Sequence, residues 1–203
     1  MPAIILFAGL VSTYLMVIAK RVPSLIQAFR YQSFFLFVIT LIAGFSEKHI
    51  DLYVVAAIIL ILKVFIIPHF LYLIAKRINV DEDLGLFVNP KLSLITALVL
   101  TYCSWILSKS FTFSNDYSWI AITVSFSMVF IGAFLMVSRM KAFAQVTGLL
   151  VMENGIFLLA SSISGGMPFF VEIAVFFDVF ISVIVMGLFV YRINKLFTHI
   201  DVN

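Results

Sequence analysis

Residues 52–75 read LYVVAAIILILKVFIIPHFLYLIA, an apolar run that carries only Lys63 and His69 as ionisable groups. A helix rises 1.5 Å per residue, so about 20 apolar residues cross a bilayer. This stretch alone predicts a transmembrane helix. Working outward, comparable runs occupy residues 3–19, 31–45, 92–107, 119–137, 145–163 and 168–191. The run at 31–45 has Arg30 at its threshold and opens as early as Ser24. The expectation is an all-α, polytopic integral membrane protein of about seven helices.

Composition points the same way. Apolar residues make up 64% of the 203 and charged residues only 11%, against about a quarter charged in soluble domains. Lipid is the solvent that accommodates such a surface. Every lipid-facing backbone group must then be satisfied internally, which leaves helices or closed barrels. A barrel would alternate apolar and polar residues, whereas these runs are continuous. One membrane domain is expected, with residues 1–117 forming a four-helix part and 118–203 a three-helix unit. The basic residues follow the first apolar run, so that run reads as a retained span and not a cleaved signal.

Several function classes are excluded. The net charge of +3 comes with no basic cluster beyond pairs such as Lys20-Arg21 and Lys76-Arg77, so no nucleic-acid partner is expected. The lone cysteine, Cys103, rules out an intramolecular disulfide and a multi-cysteine metal site. There is no phosphate-binding glycine loop and no paired-histidine zinc motif. No cofactor or metal site is expected in this chain, and no catalytic residue of its own.

Lys and Arg fall unevenly between alternate loops. One set holds Lys20, Arg21, Arg30, Lys76, Arg77, Lys91, Arg139, Lys141, Arg192 and Lys195; the other holds Lys48 and Lys109. The positive-inside rule then predicts an outside N-terminus and a cytoplasmic C-terminus.

The chemistry resides in the ionisable residues at membrane depth, which are costly there and commonly mark ion or proton pathways. They are Lys63, His69, Glu153, Glu172 and Asp178. Lys63, Glu153 and Asp178 fall near the middle of three different spans, so they are expected at one level. His69 lies about two turns from Lys63, and Glu172 about two turns from Asp178. Burial disfavours the charged form of acids and amines alike, which lets such groups exchange protons near neutral pH. A row at one depth suits lateral passage of a proton or an electrostatic signal. The structural alternatives are plain. Glu153 can simply pair with Lys63; Glu172 is near enough to Pro168 to reach the interface. His69 can bond a carbonyl freed by Pro68, which cannot donate to the preceding turn. Asp81-Glu82-Asp83 reads as a solvated loop, and Gly148, Gly155 and Gly187 as sites of close helix contact.

The stretch GLLVMENGIFLL at 148–159, followed by SGGMP at 164–168 and by Glu172 and Asp178, resembles component E of hydrogenase-4 type complexes. LKVFIIPH at 62–69 fits the same family. The resemblance extends over the whole chain. The last three helices further resemble the K subunit of respiratory complex I and the C subunit of Mrp-type cation/proton antiporters. What it implies is a membrane-arm subunit of a group 4 hydrogenase of formate hydrogenlyase type in the cell inner membrane. Its partners would be antiporter-like membrane subunits, a quinone-site-type membrane subunit and a soluble hydrogenase arm holding the nickel–iron and iron–sulfur centres. Glu153 and Asp178 correspond to the helix-two and helix-three acids of the K subunit, although Glu153 falls three residues beyond the family position, here Leu150. Lys63 and Glu172 would complete a proton or charge relay, with His69 accessory. An Mrp-type antiporter subunit is the alternative.

Overall fold

The computed structural model describes residues 2–47, 50–77, 89–111, 116–140 and 142–164, and every element among them is helical. They are α1 (Pro2–Ile18), α2 (Val22–Glu47), α3 (Ile50–Ile58), a π-helical segment (Ile59–Ile66), α4 (Ile67–Arg77), α5 (Pro90–Ser108), α6 (Asp116–Ser138) and α7 (Ala142–Ser164). α3, the π segment and α4 form one continuous rod, since Ile58 and Ile67 both keep helical backbone angles. Among the described residues, five helices are long and apolar enough to cross a membrane: Val22–Ser46, Ile50–Leu73, Pro90–Ser108, Trp119–Ser138 and Ala144–Ile163. α1, with 17 residues, is slightly shorter. The protein is thus a helical, membrane-embedded one. The run at 168–191, with Glu172, Asp178 and Gly187, lies outside the described residues, as does Asp81-Glu82-Asp83.

One expected boundary moves. The second helix begins at Val22, and Arg30 does not delay it. The Arg30 guanidinium lies on the exposed face over the Phe65 ring, 5.5 Å from its centroid. Pro23 sits in the first turn, where a missing N–H has no intrahelical partner to lose. α5 starts with comparable economy: the Asn89 side chain accepts from the Lys91 N–H and Pro90 follows it.

α5 shows which solvent the fold is built for. Its buried residues are Ser93, Ala97, Ser104 and Ser108, while Leu92, Ile95, Leu98, Val99 and Tyr102 are exposed. A helix in water turns the opposite way. In hydrocarbon, outward leucines cost nothing, and small residues let helices approach closely. Buried hydroxyls are satisfied within their own helices: Thr13, Thr40, Ser104, Ser125 and Ser127 each donate to the carbonyl four residues back. Trp105, Trp119 and Lys109 gather where α5 meets α6, with Lys109 Nζ 3.5 Å from the Trp105 ring centre. That is the mixed aromatic and basic character of a membrane interface.

α6 and α7 are the closest pair, and glycine makes them so. A Cβ on Gly148 would meet the Gly132 carbonyl oxygen and the Met136 backbone nitrogen, each at 2.8 Å. One on Gly155 would meet Val129 N at 2.8 Å, and one on Gly132 would meet Met152 N at 2.6 Å. The two backbones touch at three places where only hydrogen fits. Gly148 and Gly155 were legible as contact glycines; Gly132 joins them.

Arg139, which the sequence offers as a loop cation, is 2% exposed. Its guanidinium donates to the carbonyls of Met16 (3.2 Å), Val17 (2.6 Å) and Ala19 (3.1 Å) at the end of α1. These belong to the last carbonyls of a helix, which lack intrahelical donors and carry the negative end of its dipole. Desolvation by burial lowers the Arg139 pKa from its ordinary value, yet an arginine stays charged in proteins.

Gly148→Leu forces α6 and α7 apart and destabilises by about 1–3 kcal/mol, read as a fall in thermal midpoint in detergent. Gly9→Ala, whose nearest new neighbour is Phe35 Cβ at 3.9 Å, does not lower that midpoint, because a helical Gly→Ala change with room for the methyl is neutral to stabilising. Arg139→Met strips three carbonyls of a charged donor and costs about 1.5–3 kcal/mol. Arg139→Lys recovers only part of this, because a point ammonium cannot fork across three acceptors.

Candidate functional site

Lys63 occupies the middle of the π segment and is 2% exposed. π winding is rare and concentrates at functional sites. Here its cause lies one turn on. Pro68 has no N–H, and its ring crowds the carbonyl four residues earlier. The wider winding before it meets that constraint, with Ile67 N–H donating to the Leu62 carbonyl. It also alters the angular phase of the helix, so Lys63 points inward. His69 points elsewhere: it is exposed and lines a surface cleft with Arg30 and Tyr72. Lys63 and His69 serve different places.

α7 supplies the facing residues. Glu153 and Asn154 are consecutive and both buried, 3% and 0% exposed. Lys63 Nζ donates to Asn154 Oδ1 at 2.7 Å and lies 3.7 Å from Glu153 Oε1. Asn154 Nδ2 donates to Gln32 Oε1 at 3.1 Å, with Ser33 Oγ at 3.4 Å. Gln32 Nε2 donates to Thr13 Oγ1 at 2.7 Å, and Thr13 donates to the Gly9 carbonyl at 3.1 Å. The row runs Glu153, Lys63, Asn154, Gln32, Thr13 and crosses four helical elements: the rod, α7, α2 and α1.

The direction of every bond in this row is dictated by Lys63. An ammonium can only donate, so Asn154 must present its oxygen to it and its amide N–H groups to Gln32. Gln32 must then turn its oxygen toward Asn154 and donate to Thr13. The chain ends on a backbone carbonyl that accepts. All donors therefore point away from Lys63, and the nearest amide oxygen points toward its charge. Charge-assisted bonds of this kind are the strong ones.

Of the ionisable residues expected to share one level, the structure brings Lys63 and Glu153 together, within an ion-pair distance. His69, expected about two turns from that level, lies apart on an exposed face. Asp178 and Glu172 lie outside the described residues. The neutral members, Asn154, Gln32, Ser33 and Thr13, carry no charge to single them out within an apolar run. Their signal was present: two amides, Gln32 and Asn154, stand mid-span, where an unpartnered amide costs several kcal/mol.

Breaking a buried ion pair from one side strands the other charge. Lys63→Met alone costs about 3–5 kcal/mol, and the double variant Lys63→Met, Glu153→Leu recovers most of that loss. Thermal unfolding of the two variants in one detergent distinguishes a coupled pair from two independent residues.

The row takes the form of a partnered buried charge, shared among helices far apart in sequence. An uncharacterized protein of Mycobacterium tuberculosis, Rv0085, is 25% identical to this chain over 201 residues, covering 96% of this chain and 90% of its own length. No protein-family model matches the chain, and no solved structure matches it.

Proposed function

We propose that this chain is a membrane-arm subunit of a complex-I-like group 4 hydrogenase, of formate hydrogenlyase type. It holds seven spans in the cell inner membrane, with its N-terminus outside and its C-terminus cytoplasmic. Its role is to contribute buried ionisable residues to a lateral relay that couples redox chemistry in partner subunits to ion translocation. The motif resemblance at 62–69 and 148–178 suggests the family. The observation that carries the mechanism is the Lys63–Glu153 pair, 3.7 Å apart and almost wholly buried.

The chemistry of such a pair is simple. Transfer of one proton from the Lys63 ammonium to the Glu153 carboxylate turns an ion pair into an amine and a carboxylic acid. Both states are acceptable at low dielectric, so a neighbouring charge can tip the balance between them. Asn154 and Gln32 hold the lysine in place; they do not carry the proton. In this reading Asp178 is the next acid in the row and Glu172 the link toward a neighbouring subunit or the outer surface. The row lies across helices, not along one, which favours passage between subunits over passage through the bilayer.

The test is Glu153→Gln in the intact complex. Hydrogen evolution continues to be measurable and the complex assembles, while proton translocation in inverted vesicles falls to the uncoupled baseline. Normal translocation by that variant would falsify the relay. The subunits that co-purify with a tagged chain decide the setting: a nickel–iron subunit supports the hydrogenase, and antiporter-type subunits alone replace it with an Mrp-type antiporter.

A further inference from the structure

Arg30 and Phe65 share the outer face of the layer that α2 forms with the rod. On the inner side, Asn154 of α7 is met by Gln32 from α2 and by Lys63 from the rod. Arg30 precedes Gln32 by two residues and Phe65 follows Lys63 by two, which is about half a turn in each helix. Both therefore face away from α7, and both are exposed. Between them opens a cleft of about 460 Å³ that runs on toward the basic end past Gln27, Pro68, His69 and Tyr72. None of the described lining residues is acidic.

Depth makes this arrangement costly in lipid. Phe65 stands about 18 Å along the rod from Arg77, and Arg30 about 12 Å along α2 from Val22. The guanidinium does not reach back toward the interface. It lies over the Phe65 ring, 5.5 Å from the centroid, close to the level of Lys63. A ring face offsets only part of the lost hydration. Charges at such depth face a protein interior and pair with an opposite charge. One turn on, Phe34 and Ile61 are exposed and apolar, so whatever covers this face is apolar apart from the acid. This chain's own acids are badly placed to supply it. Glu153 is engaged with Lys63. Glu172 and Asp178 belong to the run at 168–191, which begins four residues after the end of α7. Four residues reach about 14 Å, whereas a helix laid on the outer face is two interaxial steps from α7, about 18 Å.

We infer that the outer face of α2 and the rod is an interface within the membrane. Its occupant is a transmembrane helix of a partner subunit that carries an aspartate or glutamate opposite Arg30. The carboxylate takes the fork of the guanidinium, and Gln27, His69 and Tyr72 offer further polar contacts toward the basic end. The inference needs only a membrane setting and is independent of the hydrogenase reading.

The test puts an amine where the guanidinium stands. Native membranes carrying tagged Arg30→Lys are treated with dicyclohexylcarbodiimide, which enters lipid and activates a carboxyl there; the amine attacks, the urea leaves and an amide forms. Mass spectrometry of the chain, purified with the subunits that accompany it, finds position 30 joined to an aspartate or glutamate within an apolar run of another protein. Arg30→Leu lowers the assembled fraction about tenfold, as stranding one charge of a buried pair does, while the amount of chain in the membrane is unchanged. No amide at position 30, or assembly of Arg30→Leu equal to wild type, overturns the interface and leaves the face to lipid. An amide to Glu172 or Asp178 overturns it in favour of this chain's own sequence. An amide to an acid in a soluble loop overturns the intramembrane pairing.

Discussion

A lysine that cannot reach water sets the terms for much of this bundle. Lys63 is buried at mid-span, too deep for its ammonium to snorkel to an interface. It must therefore be met inside the protein. Glu153 meets its charge and Asn154 accepts its hydrogen bond. Each partner then imposes a demand of its own: the Asn154 amide requires Gln32, and Gln32 requires Thr13. One buried charge thus ties the rod, α7, α2 and α1 to a single arrangement. In a bilayer, where apolar contact between helices has little advantage over apolar contact with lipid, such polar ties and close backbone packing specify the fold.

Two backbone devices make that row possible. The π segment before Pro68 turns Lys63 inward while leaving His69 outward. The glycines of α6 and α7 draw those helices together until backbone touches backbone. α7 is thereby fixed against α6, and the height and facing of Glu153 and Asn154 are fixed with it. At the basic end, Arg139 fastens the close of α1 to the turn between α6 and α7 through three carbonyls. The row of hydrogen bonds and the arginine clasp lie at different depths, so α1 is held at two levels.

The polarity of the row bears on what it can do. Every donor in the described row points away from Lys63, an arrangement that stabilises the ammonium beside Glu153. The amides form a fixed field around the ion pair. A charge arriving at the edge of the bundle acts on that pair through a medium of low dielectric, where Coulomb interactions reach further than in water.

Sequence alone determined the solvent of this protein and most of its helices. Long apolar runs leave no other way to satisfy the backbone, and the runs at 3–19, 92–107, 119–137 and 145–163 fall within α1, α5, α6 and α7, with the first run overshooting the end of α1 by a single residue. Lys63 and Glu153 were legible too, because a charge in such a run is expensive wherever the chain goes. Arg30 misled the start of α2, since a periodicity argument cannot foresee that a guanidinium will lie across Phe65 on an exposed face. Tertiary structure decided the rest. Which neutral amides join the row depends on which helices become neighbours, and no local pattern encodes that. Arg139 reads as a loop cation until α1 is seen to end beside it. The inward turn of Lys63 depends on a winding that Pro68 hints at but only packing selects.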